Sequence, residues 1–435
     1  MAEIRPFRGV RYNPEYIPDI SRVLCPPYDI ISPARQQELY QRSEYNFIRI
    51  EYNHELARDT AADNRYSRAA ATLEQWLREG ILKADDAPAV YLHDHYFSHS
   101  GERRRRRGLT VIVRLEEWSR MVVRPHEGTL SRPRGDRLNL LWALQANTSP
   151  VLTLYHDPRQ QMARLLAEQS EAAPRREIAG FDGEEHHLQA ITDMSALRAI
   201  TRMLADQPLY IADGHHRYES ALTYRQGRIA CTPGTSGEEA YNFVLMTLVD
   251  FDDHGLLILP AHRLVGGMTP SSLEGLAGRL ETFFAIEEAP LHPQDIQGQV
   301  AGLLAGEGIR LLLFGMNRGS LLALRLKDGA AAAGMMPYFH SEHYKELPVS
   351  VLDHVILEKL LGVGNDEERA VVDYRSDPVE AIQMVMEREY QLAFLLNPVT
   401  PRSIQKIADA GDRMPRKSTY FYPKLPSGLV LYRHA

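Results

Sequence analysis

Tyr210-Ile211-Ala212-Asp213-Gly214-His215-His216-Arg217-Tyr218-Glu219-Ser220-Ala221 is the stretch whose reading decides the fold. Its entry, Leu209 to Ala212, is apolar and reads as the end of a buried strand. Asp213-Gly214 breaks that strand. A helix is predicted from His215, with Tyr218 to Arg225 continuing it. The first turn of a helix leaves N–H groups without intrahelical partners and carries partial positive charge, so it favours anions. Arg217 there offers a bidentate grip on phosphate, and Asp213 offers a carboxylate for a metal ion or a proton. One acid, two imidazoles and a guanidinium within five positions predict phosphate chemistry, against the plainer reading of an ordinary Asp-Gly turn. Adjacent histidines on a helix point about 100° apart. No Cys pair or His-x-x-x-His spacing accompanies them, so a structural zinc site is not indicated.

Asp213 to Arg217, followed by Ala221, resembles the signature of the ParB/sulfiredoxin-like superfamily, in which a Gly-[His/Cys/Glu]-x-Arg turn binds nucleotide or phosphate at a helix N-terminus. Within it the segment is most similar to that of free serine kinases, which carry Asp-Gly-His-x-Arg. The whole chain also resembles a large prokaryotic family catalogued as a domain of unknown function. The blocks that carry this are Pro26-Pro27-Tyr28-Asp29, His126-Glu127-Gly128-Thr129, Asp213 to Arg217, Pro260 to Arg263 and Met414 to Gly428. The resemblance implies an α/β (α+β) chain with a ParB/sulfiredoxin-like core and an additional α/β C-terminal domain. It also implies Mg²⁺-assisted phosphoryl transfer from pyrophosphate or ATP to a small hydroxylated metabolite, with free L-serine as the best candidate.

Phosphoryl transfer asks for charge clamps, a metal and an acceptor for the hydroxyl proton. Asp213 is expected to bind the metal or orient the acceptor. Gly214, His215, His216 and Arg217 are expected to cradle the donor phosphates and offset transition-state charge. Glu127 supplies a carboxylate for the hydroxyl proton or for Mg²⁺, whose preference is for hard oxygen ligands; the plainer reading is a solvated turn residue. His126 beside it, and Arg137 after the charged run Arg132, Arg134 and Asp136, are expected at the substrate, although Arg137 can equally pair with Asp136. Two prolines fix φ before Tyr28 and Asp29, so Asp29 is expected to hold a substrate amino group or a metal, or else to serve as a turn acceptor. His262 and Arg263 are expected to add charge near the signature, although Ala261 stands where the resembled family has Thr. The C-terminal run offers Lys417, Ser418, Thr419 and Lys424 to phosphate oxygens, without the glycines of a P-loop.

Bulk composition bounds the rest. At 435 residues, with 44% hydrophobic and 25% charged residues, the chain has ordinary globular values and length for two or three domains. A net charge of −7 argues against a nucleic-acid binder that relies on a basic surface. Two cysteines indicate no disulfide framework. The N-terminus lacks an apolar signal core and no stretch reaches the roughly 18 apolar residues of a membrane span. A cytoplasmic enzyme with a small-molecule substrate, and without nucleic-acid or membrane partners, is therefore expected; homo-oligomerisation is left open. Domains are expected at 1–195, 196–266 (the signature core) and 267–435, the last boundary at Gly266 to Pro270. Arg103 to Arg107 reads as a solvated hairpin loop rather than an anion patch. His93-x-His95 falls on one strand face, and these two, with His99, His186 and His187, read as exposed strand histidines. The competing readings are a nucleotide-binding or hydrolysing switch of the ParB type and a non-catalytic phosphate or phosphoserine sensor. Net acidity and the lack of a helix-turn-helix pattern count against the switch.

Overall fold

The computed structural model describes residues 2–172, 175–181, 183–232, 234–317, 319–364 and 371–434. The chain divides into two compact units. Met1–Pro125, Thr129–Leu257 and Pro423–Ala435 make the first, and His126–Gly128 with Ile258–Tyr422 make the second. Each mixes helices with a sheet, so the expected α/β class is what the chain adopts.

The first unit is built on a nine-stranded sheet. Its strands are β1 (Ile4–Arg5), β2 (Val90–His99), β3 (Glu102–Arg114), β4 (Val123–Arg124), β5 (Val151–Tyr155), β6 (Arg176–Ala179), β7 (Glu185–Ile191), β8 (Leu209–Asp213) and β9 (Phe243–Asp250). They lie in the order β4-β8-β5-β9-β3-β2-β7-β6, with β1 added on β3. The period of two explains the layers. In β3, Ile112 enters one apolar cluster while Val111 and Val113 enter another; in β9, Leu245 and its neighbours Val244 and Met246 divide the same way. Both faces are covered, which is why the central strands are apolar throughout rather than alternating. Helices α1 (Ser131–Leu144) and α2 (His215–Cys231) pack on each other. The C-terminal segment belongs to this unit: Ser427 bridges Cys25, Leu431 bridges Val10, and Tyr432 pairs with Asn147.

The second unit holds a six-stranded sheet of β10 (His262–Val265), β11 (Phe284–Pro290), β12 (Arg310–Phe314), β13 (Ser320–Leu326), β14 (Val372–Arg375) and β15 (Leu392–Leu396), ordered β11-β13-β12-β15-β10-β14. Its core centres on Leu264, Leu312, Phe314, Ile382 and Leu395. A π-helical segment, Val351–Leu360, carries Asp353.

Several expectations need correction. A boundary at 195/196 would cut the nine-stranded sheet, because β5 and β7 before it share that sheet with β8 and β9 after it. The second division falls at 257/258 rather than 266, and the last thirteen residues return to the first unit. The five arginines are not a loop. They sit within β3, and the two-residue turn is Ser100-Gly101, both at positive φ. Alternation then turns Arg106 inward, fully buried, while Arg103 and Arg105 stay exposed. His93, His95, His186 and His187 are buried, not exposed. β6 and the start of β7 lie within residues 175–188, and Gly329–Ala333 is a short helix capped by Asp328.

Candidate functional site

β8 ends at Asp213 between β4, to which it runs parallel, and β5, to which it runs antiparallel, with a register irregularity between Ile211 and Asp213. Gly214 caps α2 at φ 95°, a left-handed conformation that costs little without a Cβ. A Cβ at this position would also lie 2.9 Å from Arg217 Nε. The glycine thus permits both the sharp strand-to-helix turn and the folding of Arg217 back over it. Gly214→Ala is expected to destabilise the first unit by about 1–2 kcal/mol through the left-handed strain alone, measured as a lowered urea midpoint.

Arg217 donates from Nη2 to Asp213 Oδ2 at 2.6 Å and from Nη1 to the Pro150 carbonyl. Lys424, from the C-terminal segment, donates from Nζ to Asp213 Oδ1 at 2.5 Å and lies 3.8 Å from Asp29 Oδ2. Asp213 therefore has a cation on each oxygen. Burial alone would raise its pKa, but the Lys424 ammonium and the Arg217 guanidinium outweigh it, with His215 adding to them. The carboxyl is held well below its ordinary range. Arg217 Nε is a buried donor without an acceptor among the described residues. The two carboxylates, the ammonium and the guanidinium meet where α2 begins.

The neighbouring side chains divide by task. His215 is buried. His216 is turned to α1, accepting at Nε2 from the Leu130 N–H at 2.9 Å. Thr129 hydrogen-bonds Glu219 of α2. His216 joins the start of α2 to the start of α1. Arg137 is buried and pairs with Asp136 at 2.6 Å and Glu51 at 3.1 Å, with Tyr28 under its guanidinium, 4.0 Å to the ring centroid. Of the two readings of Arg137, the pairing with Asp136 is the one seen. Burial pushes the Tyr28 phenol up, keeping it neutral. Tyr28 to Ile30 form a 3-10 turn entered by Pro27, which leaves Asp29 exposed.

Residues that the sequence reading missed line a small cavity in the first unit beside Arg217. They are Glu51, Thr148, Ser149 and Ser220. Ser149 donates to Glu51 Oε1 at 2.8 Å and meets Ser427 Oγ at 2.9 Å. The available signal was the acid that follows the apolar residues Phe47, Ile48 and Ile50, since a buried carboxylate needs a partner.

In the second unit, Glu127 Oε1 accepts from the Ser418 N–H at 3.1 Å, the Thr419 N–H at 3.3 Å and Thr419 Oγ1 at 3.1 Å. Because Thr419 gives its hydroxyl proton to that carboxylate, the His126 Nε2 contact at 2.9 Å to Thr419 Oγ1 is best made by Nε2–H. The Met414 N–H donates to the His126 carbonyl at 2.7 Å. His126 and Glu127 and the segment 414–419 are therefore one hydrogen-bonded cluster. Lys417 is exposed at φ 55°.

His262 and Arg263 lie on β10, in the six-stranded sheet of the second unit. Arg263 is fully buried and its donors are used: Asp353 takes two bonds at 3.2 Å, and the carbonyls of Ala261, Arg416 and Lys417 take the others. His262 accepts from the Leu396 N–H, and burial pushes it down to about 3, so it is neutral. Arg263 therefore has no donor left over, whereas His262 Nε2 is buried without a hydrogen-bond partner among the described residues.

Residues 4–354 match the family described as protein of unknown function (DUF1015), and the chain belongs to that family. No curated protein matches it. Among solved structures, a conserved hypothetical protein from Pyrococcus furiosus is similar at 13% identity, covering 74% of this chain and 95% of that one, with a TM-score of 0.35. A free serine kinase in complex with AMP is similar at 12% identity, covering 74% and 92%, with a TM-score of 0.36. A C-terminally truncated SbnI from Staphylococcus aureus is similar at 8% identity, covering 73% and 85%, with a TM-score of 0.33. Among the described residues, no helix is long and apolar enough to cross a membrane.

Proposed function

We propose that this chain is a phosphotransferase moving a phosphoryl group from pyrophosphate or ATP to a small hydroxylated metabolite, free L-serine first among the candidates. The observation that carries this reading is the convergence of Lys424 and Arg217 on Asp213 at the start of α2, with Asp29 beside Lys424. Phosphoryl transfer is mostly positioning and charge stabilisation. Here two cations are held in place by one carboxylate, and incoming phosphate oxygens would compete with Asp213 for them. Arg217 Nε supplies a spare donor, and the first-turn N–H groups of α2 supply a dipole of the right sign.

The donor set also suits Mg²⁺, which is usually held by one or two carboxylates with phosphate oxygens and water completing its shell. Asp29 and Asp213 would hold it, and it would supply neutralisation of the transferring phosphoryl charge. Asp29 is the carboxylate here whose side chain reaches solvent, at 29% exposure against 20% for Asp213, so it would also orient the amino group or hydroxyl of the acceptor.

The test is incubation of the full chain with L-serine, Mg²⁺ and either pyrophosphate or ATP, with phosphoserine read by ³¹P NMR and mass spectrometry. Phosphoserine that forms with the natural chain and not with Asp213→Ala supports the kinase. Phosphate release that is indifferent to serine would instead make the protein a hydrolysing switch, and binding without turnover would make it a sensor.

A further inference from the structure

The buried histidines of β2 and β7 form a cluster that the phosphate chemistry does not use. His95 on β2 and His186 on β7 face each other directly across the strand pair, with ring centroids 4.2 Å apart. Glu184, just before β7, places Oε2 2.9 Å from His95 Nε2 and 3.9 Å from His186 Nε2. These three donor atoms lie within 4.8 Å of one another. His186 Nε2 is fully buried and has no hydrogen-bond partner, while its Nδ1 lies 3.1 Å from His93 Nε2. Leaving a buried polar nitrogen unsatisfied costs free energy, so this atom calls for an explanation.

Gly180 supplies an independent observation. It is not at positive φ, so its backbone does not require glycine. A Cβ there would lie 2.7 Å from His186 Nε2 and 2.9 Å from Glu184 Cβ. The missing side chain keeps open the space beside that unsatisfied nitrogen and beside Glu184.

The geometry points to a binding site for a divalent transition-metal ion of the zinc class, held by His95 Nε2, His186 Nε2 and Glu184. Two imidazoles and one carboxylate are a borderline donor set that suits Zn²⁺ or Co²⁺ and not a soft monovalent ion. A bond from His186 Nδ1–H to His93 would fix the ligand's tautomer, the usual role of an outer partner. Glu184 is 15% exposed, which gives water access to the fourth position. Arg106 opposes the ion: its Nη2 lies 3.1 Å from His95 Nδ1 and also donates to the Pro423 carbonyl at 2.8 Å. With Arg106 donating, His95 carries its proton on Nε2 and gives it to Glu184. Loading the ion moves that proton to Nδ1 and makes Arg106 rely on the Pro423 carbonyl.

The test is titration of the chelator-treated full chain with Co²⁺, followed by displacement with Zn²⁺. One Co²⁺ per chain is expected, with the visible d–d absorption of a low-coordinate site. Gly180→Ala, which fills the space, and Glu184→Gln, which removes the charged ligand, are each expected to weaken binding at least ten-fold; circular dichroism checks that each variant is folded, and Glu184→Gln decides if Gly180→Ala is not. His187→Ala is the control, because His187 groups with Glu177 and Glu185 and not with His95. Absence of the Co²⁺ spectrum, or binding that survives both Gly180→Ala and Glu184→Gln, would overturn the assignment; loss in His187→Ala alone would place the ion on that second group.

Discussion

Asp213→Asn is expected to lower serine-dependent phosphoryl transfer by about 10²–10³-fold, the scale seen when one preorganised electrostatic element is removed. The substitution keeps the shape of the side chain and removes the charge. Lys424, 9% exposed, and Arg217, 12% exposed, then no longer share an anion that fixes both. Their mutual repulsion, rather than a lost contact to substrate, is what misplaces the phosphate clamp. A pH series separates this from a general loss of fold. The two cations hold the Asp213 carboxyl well below its ordinary range against the opposing effect of burial. Its contribution to stability is therefore complete above the unfolded-state pKa of about 3.9 and is lost only as pH falls through the lower folded value. The natural chain should show this part of its acid loss below about pH 4, and Asp213→Asn should lack it. Urea midpoints at pH 7 and below about pH 4, beside kcat in the phosphoserine assay, give both readouts. Full activity in the folded Asn variant would remove Asp213 from the reaction.

The strand-turn-helix at 209–231 was readable because its signals are local: an apolar strand end, an Asp-Gly break, and a helix start at His215. The run at 414–428 likewise stood out as one block that offers cations and hydroxyls. What local composition does not encode is where such a segment goes. Lys424 reaches Asp213 within the first unit, whereas Ser418 and Thr419 reach Glu127 within the second. One predicted phosphate-binding run is thus two structures, divided between Tyr422 and Pro423. The arginine run failed for a related reason. Charge count suggests solvent, but strand alternation turns Arg106 inward, where His95 and the Pro423 carbonyl receive it. The spacing of His93 and His95 placed them correctly on one face. That the C-terminal segment helps to cover that face, with Leu425 and Val430 beside His93, depends on residues more than 300 positions away.

Arg263→Ala is expected to cost the second unit about 3–5 kcal/mol, the range for removing one member of a buried ion pair. Arg263 is the hub of that unit's tail. Its guanidinium stacks over Tyr374 at 5.1 Å, takes both oxygens of Asp353, and holds the carbonyls of Arg416 and Lys417 immediately before the Glu127 cluster. Arg263→Met keeps most of the apolar stem and should lose less than alanine; Asp353→Asn leaves the buried guanidinium without its counter-ion and should lose about as much as alanine. Hydrogen exchange locates the effect. The Ser418 and Thr419 amides, which donate to Glu127, should lose protection in Arg263→Ala before the strands of the six-stranded sheet do. These outcomes separate two roles that the sequence alone leaves equivalent. A substrate-binding arginine would lose activity on truncation with stability and exchange unchanged, whereas an arginine that ties the 416–419 segment to its sheet must lose stability first, and any activity with it.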